Sequence, residues 1–178
     1  TVELKANGEA KLQLKNNKDT KLYVRLTQLG KPTLGQSSAE QNNLSLKVSY
    51  QNANGESLDI KSIRQGSEIN AIINIGNLTT TQLENVALQY HLPSGWELVD
   101  TSFTNYQTNS FTEADYVDIR DNEVRFYMSL NAQQTKSFKL KINASYLGDY
   151  FVPGSQAETM YSNSYFARTK GEKVRVVE

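Results

Sequence analysis

The chain contains no cysteine and a single histidine, His91. These absences exclude zinc–thiolate sites, iron–sulfur clusters, disulfide staples, thiol nucleophiles and any metal site with more than one imidazole ligand. Charge is balanced, with 19 Lys and Arg against 19 Asp and Glu, so the basic footprint of a nucleic-acid-binding surface is missing. No apolar run reaches the roughly 18 residues that a membrane-spanning helix needs. An initiator methionine and a charged-then-apolar leader are lacking too. The chain starts at Thr1 inside an alternating segment, and we expect it to be a piece of a longer polypeptide, with any signal peptide or lipid anchor outside it. Lack of cysteine suits a bacterial envelope protein as well as a cytosolic one.

What is present is a period of two. Leu44, Leu46, Val48 and Tyr50 alternate with Ser45, Lys47, Ser49 and Gln51. Ile69, Ala71, Ile73 and Ile75 form a second such set, Val86, Leu88 and Tyr90 a third, and Phe138, Leu140 and Ile142 a fourth, while Val174 and Val176 flank Arg175. Successive strand side chains point to opposite faces, so these are strands with one packed and one wet face. Asn54-Gly55, Gly76-Asn77, Pro93-Ser94-Gly95, Asp121-Asn122 and Gly148-Asp149 are turn-formers between them. No long 3.6-residue apolar repeat competes; residues 79–85 are expected to make at most one helical turn. The fold expected is all-β, an antiparallel β-sandwich of about seven strands.

A chain of 178 residues is one large domain, or one domain with a fragment of its neighbour. Residues 31–43 are polar and lack strand periodicity, and are expected to be a linker. Residues 1–30 hold about three short strands, near 2–4, 10–14 and 22–29. These are too few for a sandwich of their own, so they are expected to close a preceding domain or add an edge. The main domain runs from 44 to 178.

Candidate chemistry is thin. A Ser-His-Asp arrangement would have to use His91, at the end of a strand, and no nucleophile-elbow pattern accompanies it. Between residues 97 and 123 stand seven acids against Arg120 alone, whereas residues 136–178 carry seven bases and four acids. Asp115, Asp118, Asp121 and Glu123 do not follow the calcium-loop spacing, and Arg120 would put a cation inside such a site. On a strand Asp118 and Arg120 share the wet face and are expected to pair. A glycosidase carboxylate pair has no cleft-forming architecture beside it.

Aromatics give a second line, with ten tyrosines, six phenylalanines and one tryptophan. Amphipathic rings suit a sugar-stacking platform, so a surface module of carbohydrate-binding or adhesion type, with Trp96 as its best ring, is one reading. The other concerns residues 154–168, which are neither alternating nor turn-like and carry Met160 and Tyr161. A Met and several rings together fill a core or mark an interface.

Four segments in order resemble a known family. Residues 86–99 contain a strand followed by Leu92-Pro93-Ser94-Gly95-Trp96-Glu97. Tyr116 to Asp121 reads Tyr-Val-Asp-Ile-Arg-Asp. Tyr150-Phe151-Val152-Pro153-Gly154 leads into Ala157-Glu158-Thr159-Met160-Tyr161. Ala167-Arg168-Thr169-Lys170-Gly171 precedes the last strand. Together they are similar to the C-terminal macroglobulin-like domain of bacterial alpha-2-macroglobulins, large envelope protease traps. The resemblance covers roughly 44–178. It implies a non-enzymatic domain without a cofactor, whose partners are the thioester and CUB-like domains of the same polypeptide, residues 1–30 closing the CUB-like one. Target proteases are met through the full-length protein. It further implies that Met160 and Tyr161, helped by Tyr165, shield the thioester until a protease cuts the bait region. The location implied is the bacterial cell envelope, as a periplasmic protein or an outer-membrane lipoprotein. The chain departs from the family pattern after Tyr161, where Ser162-Asn163 stand in place of a frequent Asp, and after Asp121, where Asn122 and Glu123 stand.

Overall fold

The structure, a computed structural model, describes residues 15–25, 27, 37–99 and 113–178. The chain divides into two compact units, Thr1–Lys31 and Pro32–Glu178. In the first, the Asn16 side chain closes a turn by accepting from the Lys18 N–H at 3.0 Å and donating to the Thr20 carbonyl at 2.5 Å. The strand expected over residues 22–29 does not form at residues 22–25. Leu22, Tyr23 and Val24 are exposed there. The strands expected near 2–4 and 10–14 lie outside the described residues.

The second unit contains every strand among the described residues. They are β1 (Glu40–Asn42), β2 (Leu44–Gln51), β3 (Ser62–Arg64), β4 (Glu68–Asn77), β5 (Leu83–His91), β6 (Trp96–Leu98) and β7 (Tyr116–Ile119). After them come β8 (Glu123–Leu130), β9 (Thr135–Ala144), β10 (Gly148–Val152), β11 (Gln156–Thr159), β12 (Ser162–Arg168) and β13 (Glu172–Val177). One sheet has the order β1-β12-β11-β5-β8-β7, a second β2-β4-β9-β6, and a third, smaller one β10-β13-β3. Pairing is antiparallel except between β13 and β3. The all-β sandwich is therefore as the alternation indicates. It has more than the seven strands expected, because three- and four-residue strands such as β1, β3, β6 and β11 are too short to show a period.

The core lies between the first two sheets. Ile69, Ala71, Ile73 and Ile75 of β4 and Phe138, Leu140, Ile142 and Ala144 of β9 are buried on one side. Val86, Leu88 and Tyr90 of β5 and Val124, Phe126 and Met128 of β8 face them. Phe126 stacks on Phe138 with ring centroids 4.4 Å apart, which ties β8 to β9 across the sandwich. Ile63, Val152, Val174 and Val176 extend the same core under the third sheet.

Asn77 explains why residues 79–85 are not the helical turn expected. Its buried side chain donates to the Thr81 carbonyl at 2.7 Å and the Asn131 carbonyl at 2.9 Å, and accepts from the Thr79 N–H at 2.9 Å. The backbone groups that a helix would pair internally are bonded to this amide instead, and β5 begins at Leu83. Glu40–Asn42, inside the polar segment 31–43, also form a strand, because β12 offers them an open edge.

Phe138→Ala removes a ring with no exposed surface and half of the inter-sheet stack. It is expected to lower unfolding free energy by about 3–5 kcal/mol, read as a shift of the urea midpoint. Lys139→Ala, on the wet side of the same strand, should change it by less than about 0.5 kcal/mol.

Candidate functional site

Residues 154–168 are a β-hairpin. β11 pairs with β5 from Gln156 opposite Gln89 to Thr159 opposite Val86, so the hairpin hangs on a strand whose other face is core. Ala157 and Ala167 face each other across the hairpin and are buried. The pairing then slips: Glu158 is opposite Phe166, but Thr159 is opposite Ser162. Residues 163–165 therefore bulge out of the ladder, which is why the sequence there reads as neither alternating nor turn-like.

Neighbouring strands hold the bulge and the tip in place. The Asn42 and Asn43 side-chain amides both donate to the Ser164 carbonyl at 3.0 Å. The Met160 N–H donates to the Asn85 carbonyl at 3.0 Å, and Asn85 lies at a register shift of β5 with φ of 54°. The Thr159 hydroxyl donates to the Ser162 carbonyl at 2.8 Å.

The three residues singled out from the sequence have different surroundings. Met160 and Tyr161 form the two-residue tip, 53% and 84% exposed. Tyr165, in the bulge, is half-buried and packs against the core. Leu78, exposed as well, donates its N–H to the Asn43 carbonyl at 3.0 Å. Sequence reasoning passed over Leu78, since a lone Leu in a turn carries no period. The tip thus presents a Met and a Tyr on a backbone fixed by hydrogen bonds, apolar surface of the kind that marks a contact.

The other candidates are occupied elsewhere. Trp96 is buried, edge-on to Tyr50 at 5.9 Å between centroids, and so cannot serve as an exposed sugar platform. Burial also pushes the Tyr50 hydroxyl up to about 12. Asp118 accepts from Arg120 Nε at 3.0 Å, the pairing expected on the wet face. Among the described residues no group of three or more carboxylates or imidazoles is placed to hold a metal ion.

Glu123, at the start of β8, accepts from the Gln89 amide at 2.5 Å and meets Arg125 at 2.7 Å and His91 at 3.7 Å. The Gln89 hydrogen bond, and then the charges of Arg125 and His91, hold its carboxyl below the ordinary value against the opposing effect of burial. Gln89 also accepts from the Gln156 amide at 2.7 Å, so one polar chain on the outer face links β8, β5 and the hairpin.

The sequence matches the family model for the bacterial alpha-2-macroglobulin MG10 domain over residues 44–163. Among solved structures, the chain is similar to native Escherichia coli alpha-2-macroglobulin spanning domain MG7 to the C-terminus. Identity there is 19% and the TM-score 0.72, over 84% of this chain and 25% of that one. It is similar also to Salmonella alpha-2-macroglobulin reacted with methylamine, at 20% identity and a TM-score of 0.69, over 80% of this chain and 10% of that one. The chain thus spans a quarter or less of the proteins it resembles. No curated protein matches the sequence.

Met160→Ala with Tyr161→Ala is expected to change the stability of this chain by less than about 0.5 kcal/mol, since both side chains are exposed. Tyr165→Ala should cost about 1–3 kcal/mol. Urea unfolding of the variants separates the two. Because the folded-state pKa of Glu123 is lowered, its contribution is present above the ordinary value of 4.5 and is lost as pH falls below it through the folded value. Glu123→Gln should flatten the acid-side fall in the urea midpoint.

Proposed function

The chain belongs to the bacterial alpha-2-macroglobulin MG10 domain family, and on that premise we propose that it is a non-catalytic terminal domain of a broad-spectrum endopeptidase inhibitor. Its role is to pack on the thioester domain of the same polypeptide and keep water and amines from the thioester until a protease cuts the bait region. The packing domain takes in β1 as well as residues 44–178, the polar residues before β1 link it, and residues 1–30 close the CUB-like domain before it. The whole protein works in the bacterial cell envelope, in the periplasm or as an outer-membrane lipoprotein.

One observation carries this reading: Met160 and Tyr161 stand exposed at the tip of a hairpin whose backbone is fixed by Asn42, Asn43 and Asn85. An acyl thioester is open to any nucleophile that reaches its carbonyl, so its lifetime depends on a cover that leaves no room for water or amines. Thioether and phenyl surface meets that need, with the phenol oxygen left at the edge. A fixed backbone keeps the cover from being displaced by thermal motion. Tyr165 supports the tip from the core side and is not itself the covering surface.

The cysteine of such a thioester is not in this chain, so the test uses the full-length protein. Methylamine opens a thioester by forming an amide at the carbonyl carbon and releasing the cysteine thiol, which a thiol-reactive dye counts. Met160→Ala with Tyr161→Ala is expected to raise the rate of thiol release about tenfold or more without any protease, corresponding to roughly 1.4 kcal/mol taken from the barrier. An unchanged rate overturns the shielding role.

A further inference from the structure

The third sheet has a concave outer surface of about 1120 Å³ that the packing role does not use. Phe151 supplies the ring on the wet face shared with Lys173, while Tyr150, opposite the buried Val174, packs on the core. A Cβ on Gly95 would lie 2.2 Å from the Tyr150 ring, and one on Gly171 would lie 2.5 Å from the Phe151 ring. Each ring is thus seated directly on a glycine backbone, and the Tyr150 hydroxyl donates to the Leu147 carbonyl at 2.8 Å. Ser94 and Pro153 complete the wall.

The rim is cationic. Strand register sets Lys173 opposite Phe151 and Arg175 opposite Asp149, with Arg175 beside Ser62 on β3. The Arg175 N–H donates to the Lys61 carbonyl at 3.1 Å, which brings Lys61 to the same place. Lys173 and Arg175 are two apart on one strand and so share a face. Asp149 is the one acid lining the groove, and Arg175 already engages both of its oxygens, at 2.5 and 3.3 Å. Lys61 meets Asp59 at 3.7 Å with both side chains mostly in water, a pairing of little strength. Lys173 has no ion-pair partner among the described residues.

We propose that this groove binds an extended acidic peptide segment of a partner polypeptide, its carboxylates on Lys61 and Lys173 and an apolar side chain on Phe151. Charge complementarity selects the occupant: a basic segment is repelled by the rim, and a purely apolar one leaves the lysines unpaired. A single small anion would leave most of the volume and the ring surface unused. The groove lies on a different sheet from Met160 and Tyr161, so the proposal stands independently of the shielding role.

The test is fluorescence anisotropy of a labelled EEFEE peptide titrated with the full 178-residue chain, with KKFKK as control. Saturable binding of EEFEE alone is expected, weakening with salt as screened surface charges do. Lys61→Glu with Lys173→Glu should weaken it at least about tenfold. Both lysines are exposed, so circular dichroism should show the variant folded. Met160→Ala with Tyr161→Ala should leave the affinity as it was. No binding of EEFEE, equal binding by the charge-reversed chain, or equal binding of KKFKK overturns the proposal. So does preferential capture of phosphatidylglycerol vesicles through these lysines, or self-association of the chain that Lys173→Glu abolishes.

Discussion

The position of the exposed hairpin depends on β5 being held from behind. Val86, Leu88 and Tyr90 enter the sandwich while the backbone of the same strand carries β8 on one edge and β11 on the other. Burying that apolar face fixes the strand's position and register, since a slip of one residue would turn the whole set to water. The hairpin gains its rigidity from this arrangement. Its first strand is part of a six-stranded ladder, and its tip is bonded to a β5 carbonyl only one residue before Val86.

Exposed apolar side chains stand here on a fixed backbone. Mobile loops can carry a Met or a Tyr with little consequence, because ordering them on contact is opposed by their own entropy. Here the ordering is done within the fold, by two asparagine amides on one carbonyl and by the bulge in β12. A contact made by Met160 and Tyr161 therefore loses little more than side-chain freedom. The same preorganisation is visible at the third sheet, where two glycines seat Tyr150 and Phe151. In both places small or polar residues with no apolar area of their own decide where the rings stand.

The sheets were largely legible in the sequence. Strands with three or four alternating apolar residues, β2, β4, β5 and β9, lie where their period put them. Asp118 and Arg120 pair as expected for neighbours on one wet face. What failed to show was structure that depends on a partner distant in the chain. The hairpin did not read as strands because residues 163–165 break the alternation, and the carbonyl of Ser164 is satisfied by Asn42 and Asn43, more than a hundred residues away. Residues 79–85 were open to a helical turn until the Asn77 amide, bonded to carbonyls on both the β4–β5 and β8–β9 turns, took up their backbone groups. Residues 22–25 have strand-like composition and no strand.

By itself the sequence determined the chemistry that is possible and the class of fold. Without cysteine, with one histidine and balanced charge, and with a period of two, the chain folds as a β-sandwich with no thiol chemistry. It also carried the ordered segments that reveal its family. Which of its rings face water was decided only by the tertiary structure. Trp96, the best ring by composition, is buried against Tyr50, Tyr165 is half-buried, and Met160 and Tyr161 are outside. The physical reason is that the period of two tells which side chains share a face but not which face is covered. That depends on the second sheet, on the bulge that resets the register of β12, and on the side-chain amides that hold the bulge open.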